Sequence, residues 1–177
     1  MQSFEQPSPT YAAKAISLQD GPAEHALLSA MPEENGFMND AYGLDWRGFT
    51  MWLSHCVASA AGTDLPEGFV PQTSYWFYVD GIPVGRAKLR HSLTDELLRH
   101  GGHIGYGIAR AYRGRGYATE LLRLILDEAK GLGLDRVLLT IDEHNLASRR
   151  VAEKCGGVLE NTLDGRCRYW IDLKNNA

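Results

Sequence analysis

Between His103 and Thr119 an alternating strand pattern, His103-Ile104-Gly105-Tyr106-Gly107-Ile108, passes through Ala109-Arg110-Ala111-Tyr112 into Arg113-Gly114-Arg115-Gly116. That turn opens directly into an amphipathic helix predicted to run from Tyr117 to about Leu132. A strand that hands over to a helix through so short a turn leaves a fan of unpaired N–H groups at the helix start, under the positive end of the helix dipole. Such a junction holds a phosphate or a pyrophosphate. Glycine lets a ligand approach the backbone closely, and Arg113 and Arg115 add charge-assisted contacts. No Gly-Lys-Ser/Thr follows, so the turn is not a Walker loop, and its glycine spacing is not that of a dinucleotide fingerprint. A phosphate-bearing cofactor is expected here.

The remaining pattern places this junction in one domain spanning residues 1–177, a length that supports a full hydrophobic core. Residues 1–10, with Pro7 and Pro9, read as a flexible arm. A first helix is predicted from Asp20 or Gly21-Pro22 to before Pro32, with Asp20 as its cap. A second spans Trp46 to Ala61, with Phe49, Leu53 and Val57 at helical spacing. Ser74–Val79 and Ile82–Leu89 are strands joined by Asp80-Gly81, a two-residue hairpin signal. Asp95 to His100 reads as one helical turn. Arg136–Ile141 is a buried-type strand, and Asn145–Lys154 a short helix. Val158–Leu163 and Arg166–Leu173 form a last hairpin across Asp164-Gly165. The order is that of an α/β sandwich.

Charge is distributed unevenly. The first hundred residues carry twice as many acidic as basic side chains, and the rest a slight basic excess, giving a net charge of -4. This suits an anionic cofactor and a cationic acceptor, or is plain surface solvation. No basic cluster with interleaved aromatics points to nucleic acid, and no apolar run approaches membrane-spanning length. Cys56, Cys155 and Cys167 are odd in number and lack metal-ligand spacing, so no metal site is expected and reduced thiols in a cytoplasmic protein are.

Arg113-x-x-Gly116-x-Ala118 behind a strand, Asn145-x-x-Ser148 opening the next helix and Glu153-Lys154-Cys155-Gly156 closing it resemble the GNAT superfamily of N-acetyltransferases, over roughly residues 74–163. The chain is also similar to a group of bacterial predicted acetyltransferases. The resemblance implies a mixed, mostly antiparallel sheet flanked by helices, with a central V-shaped splay between the strands ending at Ile108 and Ile141. It implies acetyl-CoA as co-substrate, held by Ile108, Ala109, Arg110, Arg113, Gly114, Arg115, Gly116, Tyr117, Ala118, Thr119, Asn145 and Ser148, and direct acetyl transfer to a primary amine of a small molecule or peptide. Asn145 is a candidate for both catalysis and cofactor contact, and would cap its helix as well.

A lysine-like amine is only about a thousandth neutral near pH 7.4, so transfer calls for a general base. Family members often place a Glu near the start of the strand leading to the cofactor turn. Here that region reads Gly102-His103-Ile104, which makes His103 the candidate base, or a plain strand-end histidine; Asp142, Glu143 and His144 are weaker candidates. The family's Tyr seven residues after the Asn is Ala152 here. Tyr106, Tyr169 or water would then protonate the departing thiolate. Gly157 replaces a common aromatic. Cys155, late in a helix, reads as a buried structural thiol. Glu34, Asn35 and Phe37 fall where the family walls its substrate cleft, and acidic Glu33-Glu34 would favour a cationic amine unless simply solvated. The alternative reading keeps the fold and the cofactor but not the chemistry: a catalytically inactive acyl-CoA-binding sensor. Oligomeric state stays open, with a homodimer through the last hairpin among the alternatives.

Overall fold

A computed structural model describes residues 8–63 and 65–174 of the chain. Trp76 and Phe77 are neighbours in one strand and both are fully buried. Successive strand side chains point to opposite faces, so this strand must be covered on both sides. It belongs to an antiparallel sheet of order β1-β2-β3-β4, formed by Tyr11–Ala15, Gln72–Val79, Ile82–Arg90 and Ile104–Ile108. One face packs on α1 (Pro22–Ser29) and α2 (Trp46–Ala60), where Leu28, Phe49, Trp52 and Leu53 meet Trp76. The other face packs on α4 (Tyr117–Gly131), whose Leu121, Leu122, Ile125 and Ala129 meet Phe77, Ala87 and Leu89. Each large apolar side chain removed from water this way contributes about 1.5–3 kcal/mol.

After α4 the chain forms a second antiparallel sheet, order β5-β7-β6, from Arg136–Asp142, Val158–Leu163 and Arg166–Asp172. Two short helices complete the fold: α3 (Asp95–Arg99) before β4, and α5 (Leu146–Lys154) after β5. Both hairpins close as their sequences predict, with positive φ at Asp80 and Gly81 (50° and 78°) and at Asp164 and Gly165 (51° and 74°). Every ladder among the described residues is antiparallel.

Some local expectations shift. β1 has no counterpart in the sequence reading; its partner β2 lies some sixty residues away. Residues 1–7 of the expected arm lie outside the described residues, but Thr10 is held: its N–H donates to Asp80 Oδ1 (2.8 Å). Asp20 does not cap α1. Gly21 holds that position, its N–H bonded to Glu24 Oε2, while Asp20 Oδ2 accepts from the Trp76 indole at 2.6 Å. No helix among the described residues is long and apolar enough to cross a membrane.

The splay between the two sheets is dictated by backbone alternation. In an antiparallel pair, alternate residues point their N–H and C=O groups to opposite sides of the strand. Arg90 N–H donates to His103 O and Ala109 N–H to Val84 O. In that register Gly105 and Gly107 turn their backbone groups to β3, and Tyr106 and Ile108 turn theirs away. On β5, Glu143 N–H donates to Gly165 O and Leu173 N–H to Asp135 O. Leu138, Thr140 and Asp142 therefore turn away from β7. The two outward edges face each other without a ladder, and they open the expected V.

Candidate active site

Among the described residues the two strands of the V are tied to each other at its apex. His103 N–H donates to Leu138 O (2.8 Å), Leu138 N–H donates to His103 Nδ1 (3.0 Å) and Gly101 N–H donates to Thr140 Oγ1 (2.8 Å). Gly102 allows this approach, since a Cβ there would stand 2.3 Å from Leu138 O, and its φ is +59°. His103 is thus not placed as a base. Its ring is buried against Trp170, it lies off the cavity wall, and its Nδ1 is spent as a backbone acceptor. Burial, with Arg90 nearby, pushes its pKa down to about 4. The expectation from the strand start fails because the imidazole turns into the seam between the sheets.

Beyond the apex the V widens into a cavity of about 1090 Å³ that runs between β4 and β5 to the start of α4. Ile108, Arg113, Gly114, Gly116, Tyr117, Ala118, Thr119, Asn145 and Ser148 of the expected cofactor set line it. Ala109, Arg110 and Arg115 do not: Ala109 is buried with its N–H bonded to Val84 O, and Arg115 lies over the Tyr112 ring. Gly116 sits at the α4 N-cap in the left-handed region (φ 79°), with no side chain capping the helix. The N–H groups of Gly114, Arg115, Gly116, Tyr117 and Ala118 have no partner among the described residues. A helix start left this bare, at the end of a cavity, is complementary to an anion.

The three acceptor-side candidates form one strap across the cavity. Asn35 and Gly36 make its tip with positive φ (52° and 83°), closed by Phe37 N–H to Glu34 O. Asn145 Nδ2 donates to Asn35 O (3.3 Å), while Asn145 Oδ1 caps α5 by accepting from Ser148 N–H (3.1 Å). Phe37 covers Gly107, where a Cβ would come within 2.7 Å of its ring. Glu34 is not available to a cationic amine. Its carboxylate accepts from both Arg110 and Arg113, and these guanidiniums hold its pKa below the usual carboxylate range. Arg113 is further fixed by donating from Nε to Ile108 O (2.8 Å).

Tyr106 extends into the cavity from the α5-facing side of β4. Its hydroxyl pairs with Ser148 Oγ (2.8 Å), and burial raises its pKa to about 12, which keeps it protonated. Tyr169 is bonded instead to Glu153 and Arg149 and lies off the cavity wall. Ala152 is fully buried in the core, and Gly157 packs so close to Ala152 O that a Cβ would come within 2.7 Å. Cys155 is buried, with its thiol against Thr119 O and its pKa raised by burial, as a structural thiol requires.

The sequence reading missed one wall. Arg86, Lys88 and Arg90 alternate along β3 on the face that carries α2, and all border the cavity. Arg86 is fully buried and donates to Asn39 Oδ1 and Asp40 Oδ1 (both 3.0 Å), with Trp52 beneath its guanidinium. Charged residues at every second position of a central strand are the signal that would have found this wall, because one face of such a strand cannot then be ordinary core.

A strand-bounded V ending on an uncapped helix start defines the class. The model of the acetyltransferase (GNAT) domain matches residues 35–158, and the chain belongs to this family, whose domain is built for acetyl transfer. It is 26% identical over 115 residues to an uncharacterized N-acetyltransferase, YycN, of Bacillus subtilis (strain 168), covering 54% of this chain and 73% of the relative. Among solved structures it is similar to Mycobacterium smegmatis RimJ in complex with a CoA disulfide, at TM-score 0.68 and 22% identity over 94% of this chain and 83% of that one. It is also similar to RimL, a ribosomal L7/L12 alpha-N-protein acetyltransferase in complex with coenzyme A (TM-score 0.67, 16% identity, 92% and 94% covered). A third likeness is to yncA from Salmonella typhimurium with its cofactor acetyl-CoA (TM-score 0.60, 14% identity, 94% and 96% covered).

Proposed function

We propose that this protein is an acetyl-CoA-dependent N-acetyltransferase that acetylates an amine directly, without an acyl-enzyme. The observation that carries the reading is the run of N–H groups from Gly114 to Ala118, without partners among the described residues, at the end of a V whose strands form no ladder with each other. These groups fit a pyrophosphate, and the open backbone groups of Tyr106 and the Ile108 N–H on β4, with those of Thr140 on β5, fit the amides of a pantetheine arm. Acetyl-CoA supplies an activated acyl carbonyl to such a site. Ile108 N–H, turned into the V, is placed to polarise that carbonyl. Tyr106, protonated and oriented by Ser148, is the proton donor to the departing thiolate, and the proton shed by the acetylated nitrogen restores the phenol. Asn145 both caps α5 and steadies the strap over the cavity. Three free, buried cysteines fit a reducing, cytoplasmic setting.

Ala152 gives the binding-only reading its support, since α5 offers no phenol. Tyr106 offers one from β4. Thiol release from acetyl-CoA across a panel of amines separates the two readings. Amine-dependent release that falls about tenfold in Tyr106→Phe, with coenzyme A affinity unchanged, is the expected result. Coenzyme A binding without release for any amine favours the sensor, and failure to bind coenzyme A defeats both.

A further inference from the structure

Opposite Lys88 in the β3–β4 ladder stands Gly105, and opposite Arg86 stands Gly107. Directly paired residues share a face, so both glycines lie beside the cationic stripe. They differ in cover. Phe37 sits over Gly107, whereas a Cβ built on Gly105 meets no atom within 4 Å. A slot therefore runs over Gly105, on the α2-facing side of the sheet, with the Lys88 side chain as its wall.

That wall is short of negative charge. Asp40 is shared between two cations, at 3.0 Å from Arg86 and 3.6 Å from Lys88. Arg90 lies one step further along the stripe and spends Nη1 on the carbonyls of Gly101 and Gly102. An ammonium has three donors, yet among the described residues the Lys88 Nζ has no hydrogen bond and one ion-pair partner, beyond hydrogen-bond length. Its side chain is only 21% exposed. Burying a cation beside a like charge is costly unless an anion completes it. Burial and Arg86 both act against the charged form of Lys88. Among the described residues, Glu96 of α3 and Asp142 of β5 also border the cavity but form no ion pair with Lys88, and Glu34 is already taken by Arg110 and Arg113.

We propose that the acceptor is an amine that also carries a carboxylate, and that Lys88 receives this carboxylate in the slot over Gly105. The inference rests on the acetyltransferase reading above and replaces the cationic acceptor expected from Glu33-Glu34. Strand geometry supports the placement. The level of Gly105 lies about 10 Å along β4 from that of Ile108, a separation that suits the amine and the side-chain carboxylate of a peptide whose second residue is acidic.

The test compares acceptors that differ by one carboxylate: dipeptide amides with Asp or Glu second against the same with Asn or Gln. Thiol release from acetyl-CoA is expected to favour the acid at least tenfold in kcat/KM. In Lys88→Met the preference should collapse toward one through a raised KM for the acid, and Lys88→Arg should restore most of it. Equal rates within the pairs, or a preference for polyamines, overturn the inference and leave the acetyltransferase reading standing. Should no panel amine turn over, the coenzyme A-saturated protein is titrated calorimetrically with acetyl-Gly-Asp-amide and acetyl-Gly-Asn-amide, of which only the first carries a carboxylate. Binding confined to the acid and lost in Lys88→Met upholds the inference; equal or absent binding of the two overturns it.

Discussion

At its apex the V between the sheets is closed by the protein's own groups, with the backbone of His103 and Leu138 paired and the His103 imidazole standing in as a further acceptor. At its mouth the same two strands face each other with no backbone bond between them among the described residues, and the helix beyond them starts uncapped. Buried or half-buried backbone groups left without partners cost stability. The difference teaches where this molecule keeps its unmet hydrogen-bonding capacity: concentrated at one end of a seam that the other end holds rigidly in place.

The largest expected effect comes from breaking the closed end. Gly102→Ala forces a left-handed alanine and drives a methyl into Leu138 O. The combined cost is about 3 kcal/mol or more, lowering Tm by about 6–12 °C for a chain of this size. An unchanged melting curve would mean that the apex does not carry the seam.

The same end gives a pH signature. Folded His103 has its pKa depressed to about 4 from 6.5, so above pH 6.5 both folded and unfolded chains hold it neutral. Below 6.5 the unfolded chain takes the proton first, and its contribution to stability is lost progressively as pH falls toward 4. The full loss is up to about 3 kcal/mol. His103→Asn keeps an acceptor oxygen for Leu138 N–H but does not titrate, and denaturant melts of the two proteins from pH 7 to pH 4 should diverge. Parallel curves would show that the ring is not held neutral.

At the open end the effect is smaller and falls on binding. Arg113→Ala removes a guanidinium beside the α4 start and its bond to Ile108 O. Coenzyme A affinity measured by calorimetry should weaken about tenfold, or about 1.4 kcal/mol, with Tm shifted by little. A large drop in Tm instead would place Arg113 with the structural groups of the apex.

What could be read from the sequence follows the same division. The turn at Arg113-Gly114-Arg115-Gly116, the α4 stripe and both hairpins are local, so residue type and spacing reveal them. β1 escaped because Tyr-Ala-Ala-Lys-Ala alternates weakly and is made a strand by β2. Glu34 reads as solvent-facing until the fold brings in arginines 76 and 79 residues away. His103 was misassigned because its chemistry suits a base, and only the neighbouring strand shows that its lone pair is already in use. The β3 cations were visible at alternating positions, but Asp40, which ranks them by leaving Lys88 unsatisfied, comes from a distant loop.

The Glu34 pairing gives Arg110 and Arg113 a resident counter-ion. Arg110 and Arg113 would otherwise crowd two positive charges near one helix start, a repulsion that a carboxylate between them removes. An anion that takes the Nη2 corner of Arg113 competes there with an internal partner instead of filling a bare charge. Glu34, Asn35 and Phe37 belong to one tight turn, so a single loop supplies both the counter-ion at the helix start and the ring that covers Gly107.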